Sequence, residues 1–334
     1  GFEEGEIWAS DGTTAGTVRL AGGDLRASGI LSVVGSRLYF VAADSAHGGE
    51  LWTSDGTPEG TVRLSDFANP EPFPDSGSQK RQGLRALGGR VAFSAADELG
   101  RFEPWVSDGT IGGTRHLADV YPALVAPFFE LSSEVVELGG RFFFVSGEES
   151  EVGTEPALWV SDLTTGGTRI VGPLADRAGR ATSEVALLPL GARVLLFYSS
   201  PEESGFLSTD GASLVPGGRA GLGSTPVAWG ARLAFRGEDS RLYATDGTEA
   251  GTVRLTYPNG SEVLDPAFGD VLGGRLAFAT VTGVWDTDGT RAGTVRRLAP
   301  SPGAEPSPLV RAGNRIFFPW YGASTGTELW ALRP

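Results

Sequence analysis

Residues 50–61 read ELWTSDGTPEGT, and variants of this stretch recur along the chain. An aspartate of the same turn occurs at seven positions: Asp11, Asp55, Asp108, Asp162, Asp210, Asp246 and Asp288. A large apolar residue stands three places before each: Trp8, Trp52, Trp105, Trp159, Leu207, Tyr243 and Trp285. Successive aspartates are 44, 53, 54, 48, 36 and 42 residues apart. A period of this length predicts one supersecondary unit repeated along the whole chain.

Between these turns lies a second signal, an apolar run broken by a glycine-containing turn, as in residues 31–40, 84–93 and 135–144. Each repeat therefore predicts four short strands, named here a to d and exemplified in order by SVV, RLYF, ELWTS and TVRL. Two residues such as Gly-Gly suit a tight hairpin between strands a and b. Asp-Gly-Thr suits the turn between c and d, because Asp can accept hydrogen bonds from the turn amides and Gly tolerates a positive φ.

The strands carry apolar residues at adjacent positions, as in Leu51-Trp52 and Phe142-Phe143-Phe144. Such strands are buried on both faces, which stacked blades provide. We therefore predict an all-β, seven-bladed β-propeller of four-stranded antiparallel blades, forming a single domain over residues 1–334. The closing blade is expected to be shared by both termini, with Val18–Leu20 as its strand d. Eight blades, with each terminal unit forming its own incomplete sheet, is the alternative. The repeat units span approximately residues 1–20, 31–64, 84–118, 135–171, 186–216, 226–256, 270–299 and 309–334.

The repeat at Glu50–Thr61 resembles the ELWxxDGTxxGT repeat of large secreted or surface β-propeller proteins of bacteria, including myxobacteria. The resemblance covers nearly the whole chain. It departs at Leu163, which replaces the turn glycine, and nearly disappears at Asp210-Gly211-Ala212-Ser213. It implies an exported propeller, secreted or on the cell surface, and implies no catalytic residues. The aspartate turn also resembles the Asp-box hairpin of sialidase-type propellers in its geometry alone.

The amino-acid composition argues against several kinds of site and partner. The chain has no cysteine, so thiolate metal sites and Cys nucleophiles are excluded. Its net charge of -14 argues against nucleic acid, which needs clustered Lys and Arg. No stretch has the ~18 apolar residues of a membrane span. We expect a monomer. The chain lacks Met and begins at Gly1 within a repeat, which indicates a processed or trimmed piece without a signal peptide in view.

Strand order places the a–b and c–d turns at one end of each sheet and the longer b–c and d–a loops at the other. We predict the ligand at the second end, because binding residues concentrate on variable loops of a rigid scaffold. Candidate acidic residues there are Asp44, Glu50, Asp97, Glu98, Glu103, Glu149 and Glu155. Candidate aromatic residues are Tyr121 in a d–a loop, and Trp320 and Tyr321 in the last b–c loop. Such aromatics can stack on sugars or enclose a cation. Alternatively, they pack beneath their own loops and the acids are solvated.

The aspartates Asp11, Asp55, Asp108, Asp162, Asp246 and Asp288 are interpreted as structural turn residues. Calcium binding by these turns, or by Asp286 and Asp288, is a weaker hypothesis, because each turn offers too few oxygens. No other cofactor or metal is predicted. A Ser-His-Asp triad would depend on one of the two histidines, His47 and His116, and His47 is the better candidate because it lies in a b–c loop beside Asp44 and Glu50. We predict a non-catalytic binding or scaffolding module for a protein or glycan. The alternative is a carbohydrate-active hydrolase or lyase that uses paired carboxylates near the axis. The repeated tryptophans should lie largely buried between neighbouring sheets.

Overall fold

The computed structural model describes residues 5–22, 24–67, 73, 84–96, 102–117, 135–146, 157–174, 184–200, 202–224, 226–300, 307–322, 324 and 326–333. The described part of the chain is all-β. The chain divides into two compact units, Gly1–Leu174 and Ala175–Pro334. Within the described residues, no helix is long and apolar enough to cross a membrane.

The first unit contains a two-stranded pair and three four-stranded antiparallel sheets. The N-terminal pair consists of β1 (Trp8–Ala9) and β2 (Val18–Arg19). Sheet 1 consists of β3 (Arg26–Val34), β4 (Arg37–Ala43), β5 (Glu50–Ser54) and β6 (Val62–Arg63). Sheet 2 consists of β7 (Arg85–Leu87), β8 (Arg90–Ala96), β9 (Phe102–Ser107) and β10 (Arg115–His116). Sheet 3 consists of β11 (Val136–Leu138), β12 (Arg141–Ser146), β13 (Ala157–Ser161) and β14 (Arg169–Pro173).

The second unit contains three four-stranded antiparallel sheets and one three-stranded sheet. Sheet 4 consists of β15 (Glu184–Leu190), β16 (Arg193–Ser199), β17 (Ser204–Thr209) and β18 (Val215–Gly218). Sheet 5 consists of β19 (Val227–Trp229), β20 (Arg232–Arg236), β21 (Leu242–Thr245) and β22 (Val253–Arg254). Sheet 6 consists of β23 (Ala267–Leu272), β24 (Arg275–Thr280), β25 (Gly283–Thr287) and β26 (Val295–Leu298). The C-terminal sheet consists of β27 (Val310–Ala312), β28 (Arg315–Gly322) and β29 (Gly326–Leu332).

In every four-stranded sheet the strands pair in chain order, which matches the predicted a-b-c-d repeat. The strands at the two ends of the chain form smaller sheets. Val18 and Arg19 of β2 pair with Ala9 and Trp8 of β1, and β27, β28 and β29 form a sheet of their own. The local c–d hairpin around Asp11 thus gives β2 a partner within its own repeat.

Consecutive sheets of each unit pack face to face. In the first unit, Tyr39 and Leu51 of sheet 1 belong to one buried cluster with Val91 and Phe93 of sheet 2. In the second unit, clusters of the same kind join sheet 4 to sheet 5, sheet 5 to sheet 6, and sheet 6 to the C-terminal sheet. The second and third strands therefore bury both faces, as the adjacent apolar residues predict.

The c–d turn has one hydrogen-bonding pattern that repeats along the chain. In sheet 1, Asp55 Oδ1 accepts bonds from the Thr57 amide at 3.0 Å and the Thr57 hydroxyl at 2.7 Å. Thr57 Oγ1 accepts a bond from the Gly60 amide, and the Thr61 hydroxyl lies 2.7 Å from Thr57 O and 2.8 Å from the Ser54 hydroxyl. A Cβ at Gly60 would lie 2.0 Å from the Asp55 carboxylate, so this position requires glycine. The carboxylate bonds to the threonine two places on recur at Asp11, Asp108, Asp162, Asp246 and Asp288.

The repeated tryptophans are less buried than predicted. Trp159 is buried, whereas Trp52, Trp105 and Trp285 are only half-buried. Side chains of the fourth strand lie near two of these rings. Arg296 lies 5.8 Å from the centre of the Trp285 ring, and the ring of His116 lies 5.5 Å from that of Trp105. The fourth strand thus adds a cation or a second ring where a neighbouring sheet was expected to complete the burial.

In sheet 4 the aromatic pair of the second and third strands lies at a different register position from that in sheets 2 and 3. In sheets 2 and 3 a phenylalanine of the second strand stacks on the repeated tryptophan, as Phe93 does on Trp105. At this register position sheet 4 has Leu196 opposite Leu207. Its aromatic pair lies one residue further along, where Phe197 and fully buried Phe206 have ring centres 4.8 Å apart. A one-residue step moves the pair to the other face of the sheet.

Candidate functional site

Asp44 and His47, two of the b–c loop residues, bond to each other. Asp44 Oδ1 accepts bonds from the Ala46 amide at 2.8 Å and the His47 amide at 2.7 Å, and lies 2.8 Å from His47 Nδ1. Partial burial acts to raise the pKa of Asp44, but the hydrogen bonds from Ala46 and His47 outweigh it and hold that pKa below its usual value. The Asp44 carboxylate therefore shapes its own loop.

Glu50 lies inside the protein and also supports backbone. Its carboxylate accepts bonds from the Ser65 hydroxyl and, at 2.9 Å, from the Phe67 amide. Burial raises its pKa above the usual value. Glu103 occupies the equivalent place in sheet 2 and is also buried, with His116 Nε2 3.8 Å from its Oε2. Each glutamate thus links the third strand of its sheet to the fourth strand or to the residues just after it.

The described loop aromatics pack against the core. Phe67 lies edge to face against Phe73 and Trp105, with ring centres 5.7 and 5.0 Å apart. Tyr257 contacts Trp285, with ring centres 4.6 Å apart, and its hydroxyl lies 2.9 Å from the hydroxyl of Thr280. For these residues the structure agrees with the alternative in which aromatics pack beneath their own loops.

Trp320 and Tyr321 lie in strand β28 and not in a loop, which corrects the sequence prediction. The pairing of β28 with β29 continues as far as Gly322 opposite Gly326, so the strands extend past both aromatic residues. Trp320 is buried against Phe318, and Tyr321 is exposed at the strand surface. The remaining candidates lie outside the described residues: Asp97, Glu98, Tyr121, Glu149 and Glu155.

The carboxylates considered for calcium have protein partners. Asp286 is held between two guanidinium groups, with Arg275 Nε 2.7 Å from its Oδ1 and Arg297 Nε against its Oδ2. Over the part of the chain that the structure describes, no group of three or more His, Cys, Asp or Glu could hold a metal ion. The two arginines make Asp286 a structural anchor of sheet 6.

A connected polar network lies at the loop end of sheet 5. Arg241 contacts both Glu262, at 2.5 Å, and Asp239, at 3.1 Å. Arg254 Nη1 lies 2.9 Å from Glu262 Oε1, and its Nε donates to the Tyr243 hydroxyl at 3.1 Å. That hydroxyl donates to Asp239 Oδ2 at 2.7 Å, which closes the network. We call these five residues the sheet 5 network.

The chain after β22 folds back and holds this network in place. Tyr257 and Ser261 bond across a tight turn, since the Tyr257 amide donates to Ser261 O at 2.9 Å. The returning segment then pairs Leu264 with Arg241 through the backbone, and Leu264 is 49% exposed. The network is therefore a rigid, mixed-charge surface with an apolar residue next to it.

The network fixes the charge of its members. Hydrogen bonds from Arg241 and Arg254 lower the pKa of Glu262 despite opposition from desolvation. For Asp239, burial acts to raise the pKa, but bonds from Tyr243 and Arg241 outweigh it and the pKa is lowered. The acids therefore stay ionised well below neutral pH. Sequence reasoning did not select Asp239 or its partners as candidate site residues. The spacing of Arg241 and Tyr243 by two residues was the available signal, because residues two apart in an extended segment lie on one face.

No family model matches the chain, and no curated protein matches it. Among solved structures, it is similar to BamB from Moraxella catarrhalis, at 15% identity and a TM-score of 0.34, over 99% of this chain and 92% of that one. It is similar to the β-propeller domain of the Trilobed protease from Pyrococcus furiosus, at 11% identity and a TM-score of 0.31, over 90% and 92%. Similarity to puromycin hydrolase is at 14% identity and a TM-score of 0.34, over 93% of this chain and 52% of that one. The chain thus spans about half the length of that hydrolase.

Proposed function

We propose that this chain is a non-catalytic binding module for another protein and that the sheet 5 network is part of its binding surface. The observation that carries the proposal is the ion-paired set of exposed Arg254 and half-buried Arg241 and Glu262, together with exposed Leu264, which pairs with Arg241. Arginine is over-represented among the residues that dominate protein interfaces. Charges already fixed in one geometry lose little conformational entropy on binding.

Protein is favoured over glycan as the ligand. Sugar rings stack on exposed aromatic faces, but the described loop aromatics Phe67, Phe73 and Tyr257 already pack against other rings. The surface that remains at sheet 5 offers charges of both signs and an aliphatic side chain. This composition suits a polar protein surface with one apolar contact.

A carbohydrate-active enzyme is the alternative function, and Glu50 is the residue that bears on it. Its raised pKa is what a general acid requires. However, its two carboxylate oxygens accept bonds from Ser65 and Phe67 of its own chain. Glu50 therefore has a structural task that accounts for its burial, and we favour binding.

The proposal includes the architecture and location of the module. We take the sheets as blades of a seven-bladed β-propeller exported by a bacterium. The chain-order pairing within each sheet and the face-to-face packing within each unit support blades. The separate terminal sheets keep eight blades as the alternative. The secreted or surface location rests on the resemblance of the repeat alone.

Site-specific photo-crosslinking tests the binding surface. A benzoylphenylalanine replaces Leu264 in one variant and Ile111 in a matched control, which is 72% exposed at the opposite, c–d turn end of its sheet. Each variant is irradiated with the secreted and surface proteins of the source organism. We expect a discrete adduct from position 264 only. Equal adducts from both positions would contradict the assignment of the surface.

The partner identified from the adduct is then purified and titrated against the unmodified protein and against Arg254→Ala. We expect at least about a ten-fold loss of affinity, because the change removes one of two guanidinium groups that position Glu262. A parallel glycan array with a hydrolysis screen tests the alternative. Cleavage of a bound glycan, abolished by a single Glu→Gln change, would replace the binding-only proposal by an enzymatic one.

A further inference from the structure

Asn259 is the single asparagine of the chain that precedes a glycine. The other two asparagines, Asn69 and Asn314, precede proline and arginine. An Asn-Gly pair can modify itself, because glycine has no Cβ to keep its amide nitrogen away from the asparagine side chain. Asn259, Gly260 and Ser261 are all exposed, so the pair is also open to water. The turn that contains it is therefore a candidate for modification without an enzyme.

Deamidation of such a pair requires only water. The glycine nitrogen loses its proton and bonds to Cγ of the asparagine, the Cγ–Nδ2 bond breaks, and ammonia leaves with that proton. Water then opens the resulting cyclic imide at one of its two carbonyls. One opening gives aspartate, and the other gives isoaspartate, in which the main chain runs through Cβ and Cγ. Both products carry a carboxylate that the parent lacks.

Ser261 donates two hydrogen bonds to the carbonyl oxygen on which the reaction develops charge. Its amide donates to Asn259 Oδ1 at 3.0 Å, and its hydroxyl donates to the same oxygen at 2.8 Å. Attack at Cγ moves negative charge onto Oδ1, and donors already aimed at a developing charge stabilise the transition state. These two bonds therefore favour the reaction once the nitrogen of Gly260 can reach Cγ.

Two contacts oppose attack by the nitrogen of Gly260. Its N–H donates to Tyr257 O at 2.9 Å, so this bond has to open before the proton is lost. Arg291, in the c–d turn of sheet 6, packs on the same glycine, since a Cβ at Gly260 would lie 2.9 to 3.1 Å from the guanidinium. Arg291 Nε also donates to Pro258 O at 2.9 Å. The guanidinium thus contacts the residues on both sides of Asn259 and holds the turn closed.

We propose that Asn259 is a site of spontaneous deamidation, at which Ser261 promotes the attack and Arg291 slows it. Arg291 is a positioning residue, because its hydrogen bond goes to the turn and not to the reacting amide. The Asp-Gly pairs of the c–d turns, such as Asp55-Gly56, react less readily. Their hydrogen bonds lower the aspartate pKa, and an ionised carboxylate is a poor electrophile. Asn259 is therefore the position at which such a reaction is expected first.

The isoaspartate product would change the sheet 5 network. Glu262 comes shortly after the reacting pair and pairs with Thr256 through the backbone. Isoaspartate adds one atom to the main chain within the turn, so the returning segment has to shift against β21. The amide of Leu242 in β21, which donates to Val263 O at 3.1 Å, reports that shift. This consequence holds whether or not the network binds a partner.

Mass spectrometry of the tryptic fragment 255–275 measures the reaction, because this fragment contains Asn259 and no other side-chain amide. The intact protein and a synthetic peptide of the same residues are incubated side by side at mildly alkaline pH. We expect the protein to react at least about ten-fold more slowly than the peptide, because its turn has to open first. Arg291→Ala should make the protein react at least about two-fold faster, the effect of one lost hydrogen bond. The matched control is Arg311→Ala, which removes an exposed arginine that likewise donates to another sheet, at Val271 O, and should leave the rate unchanged.

Urea unfolding separates a local effect of Arg291 from a global one. The faster reaction of Arg291→Ala should occur at an unchanged urea midpoint. Arg291→Lys keeps the charge but loses the Nε donor, so it should react as fast as Arg291→Ala. A protein that reacts as fast as the peptide, or an Arg291→Ala variant that reacts no faster than the parent, would overturn the proposal.

Two further measurements test the remaining steps. Ser261→Ala should slow the reaction of the protein more than that of the peptide, and a faster reaction would overturn the role of Ser261. The isoaspartate form is then separated by chromatography and compared with the parent by hydrogen exchange. The Leu242 amide should exchange faster in the isoaspartate form, and unchanged exchange would overturn the effect on the sheet 5 network.

Discussion

Leu163 is a leucine in a turn position that glycine occupies in the other repeats, and its substitution tests how the sheets fit together. Its φ is 63°, in the left-handed region, where the glycine equivalents such as Gly56 also lie. Its side chain is only 4% exposed and packs in one cluster with Val106, Leu117 and Phe142. The structure therefore predicts two opposed contributions at one residue, a backbone cost and a packing gain.

The magnitudes decide the order of two variants. Truncating a buried leucine to alanine costs about 2–5 kcal/mol. A left-handed backbone costs an L-residue roughly 1–2 kcal/mol, which glycine avoids. The larger entropy of glycine in the unfolded chain offsets about 0.4–1 kcal/mol of that relief. Both Leu163→Ala and Leu163→Gly should destabilise the protein, and the alanine variant should be the less stable by a few tenths to about 1 kcal/mol.

Leu158 in β13 is the matched control, because it is fully buried in the same sheet but lies in an ordinary extended strand. There Leu158→Gly should be less stable than Leu158→Ala by about 0.5–1 kcal/mol. Urea unfolding followed by circular dichroism gives the midpoints, compared at constant slope. The reasoning is refuted if glycine is worse than alanine at both positions. It is also refuted if Leu163→Gly is as stable as the parent.

A Cβ at Gly109 would lie 2.6 Å from the hydroxyl of Tyr39, so Gly109→Ala should lower the free energy of unfolding by about 1–3 kcal/mol. The loss should be smaller in a Tyr39→Phe background, and additive losses in a double-mutant cycle would contradict this contact. Phe206→Ala should lower the free energy of unfolding by about 3–5 kcal/mol and Leu207→Ala by less, because only Phe206 is fully buried. Equal urea midpoints for the two variants would contradict the placement of the aromatic pair of sheet 4 at Phe206. Hydrogen bonds from the Thr57 hydroxyl and, to a smaller extent, from the Thr57 amide lower the pKa of Asp55. The contribution of Asp55 to stability is therefore present above about pH 4 and is lost as pH falls through the folded pKa. Asp55→Asn should make stability depend less on pH in this acidic range. Burial raises the pKa of Glu50, so the contribution of Glu50 to stability is complete below its unfolded pKa of about 4.5 and is lost as pH rises through the folded pKa. The stability of Glu50→Gln relative to the parent protein should therefore be higher at pH 7 than at pH 4. A stability difference that is the same at both pH values would contradict the raised pKa.

The strand order could be predicted from the sequence because its signals are local. The Asp-Gly-Thr turn contains its own donors and acceptors within seven residues, from Asp55 to Thr61. Glycine at position 60 is required by contact with that same turn. Neither feature depends on what packs against the sheet. The turn therefore reports the hairpin between the third and fourth strands directly.

The candidate site could not be predicted in the same way, because its partners are distant in sequence. Arg241 and Glu262 are 21 residues apart and meet only because the chain folds back after β22. Glu50 was placed on a solvent-facing loop, whereas its bonds to Ser65 and Phe67 hold it inside. An acidic residue assigned to a loop from the sequence can be either a buried structural residue or an exposed ligand-binding residue. That distinction needs the three-dimensional partner.

Two departures from the repeat are explained by packing. At Leu163 and Phe206 an unusual side chain is fully accommodated, since both are buried in clusters with their neighbours. These departures are solutions to packing and need no ligand to explain them.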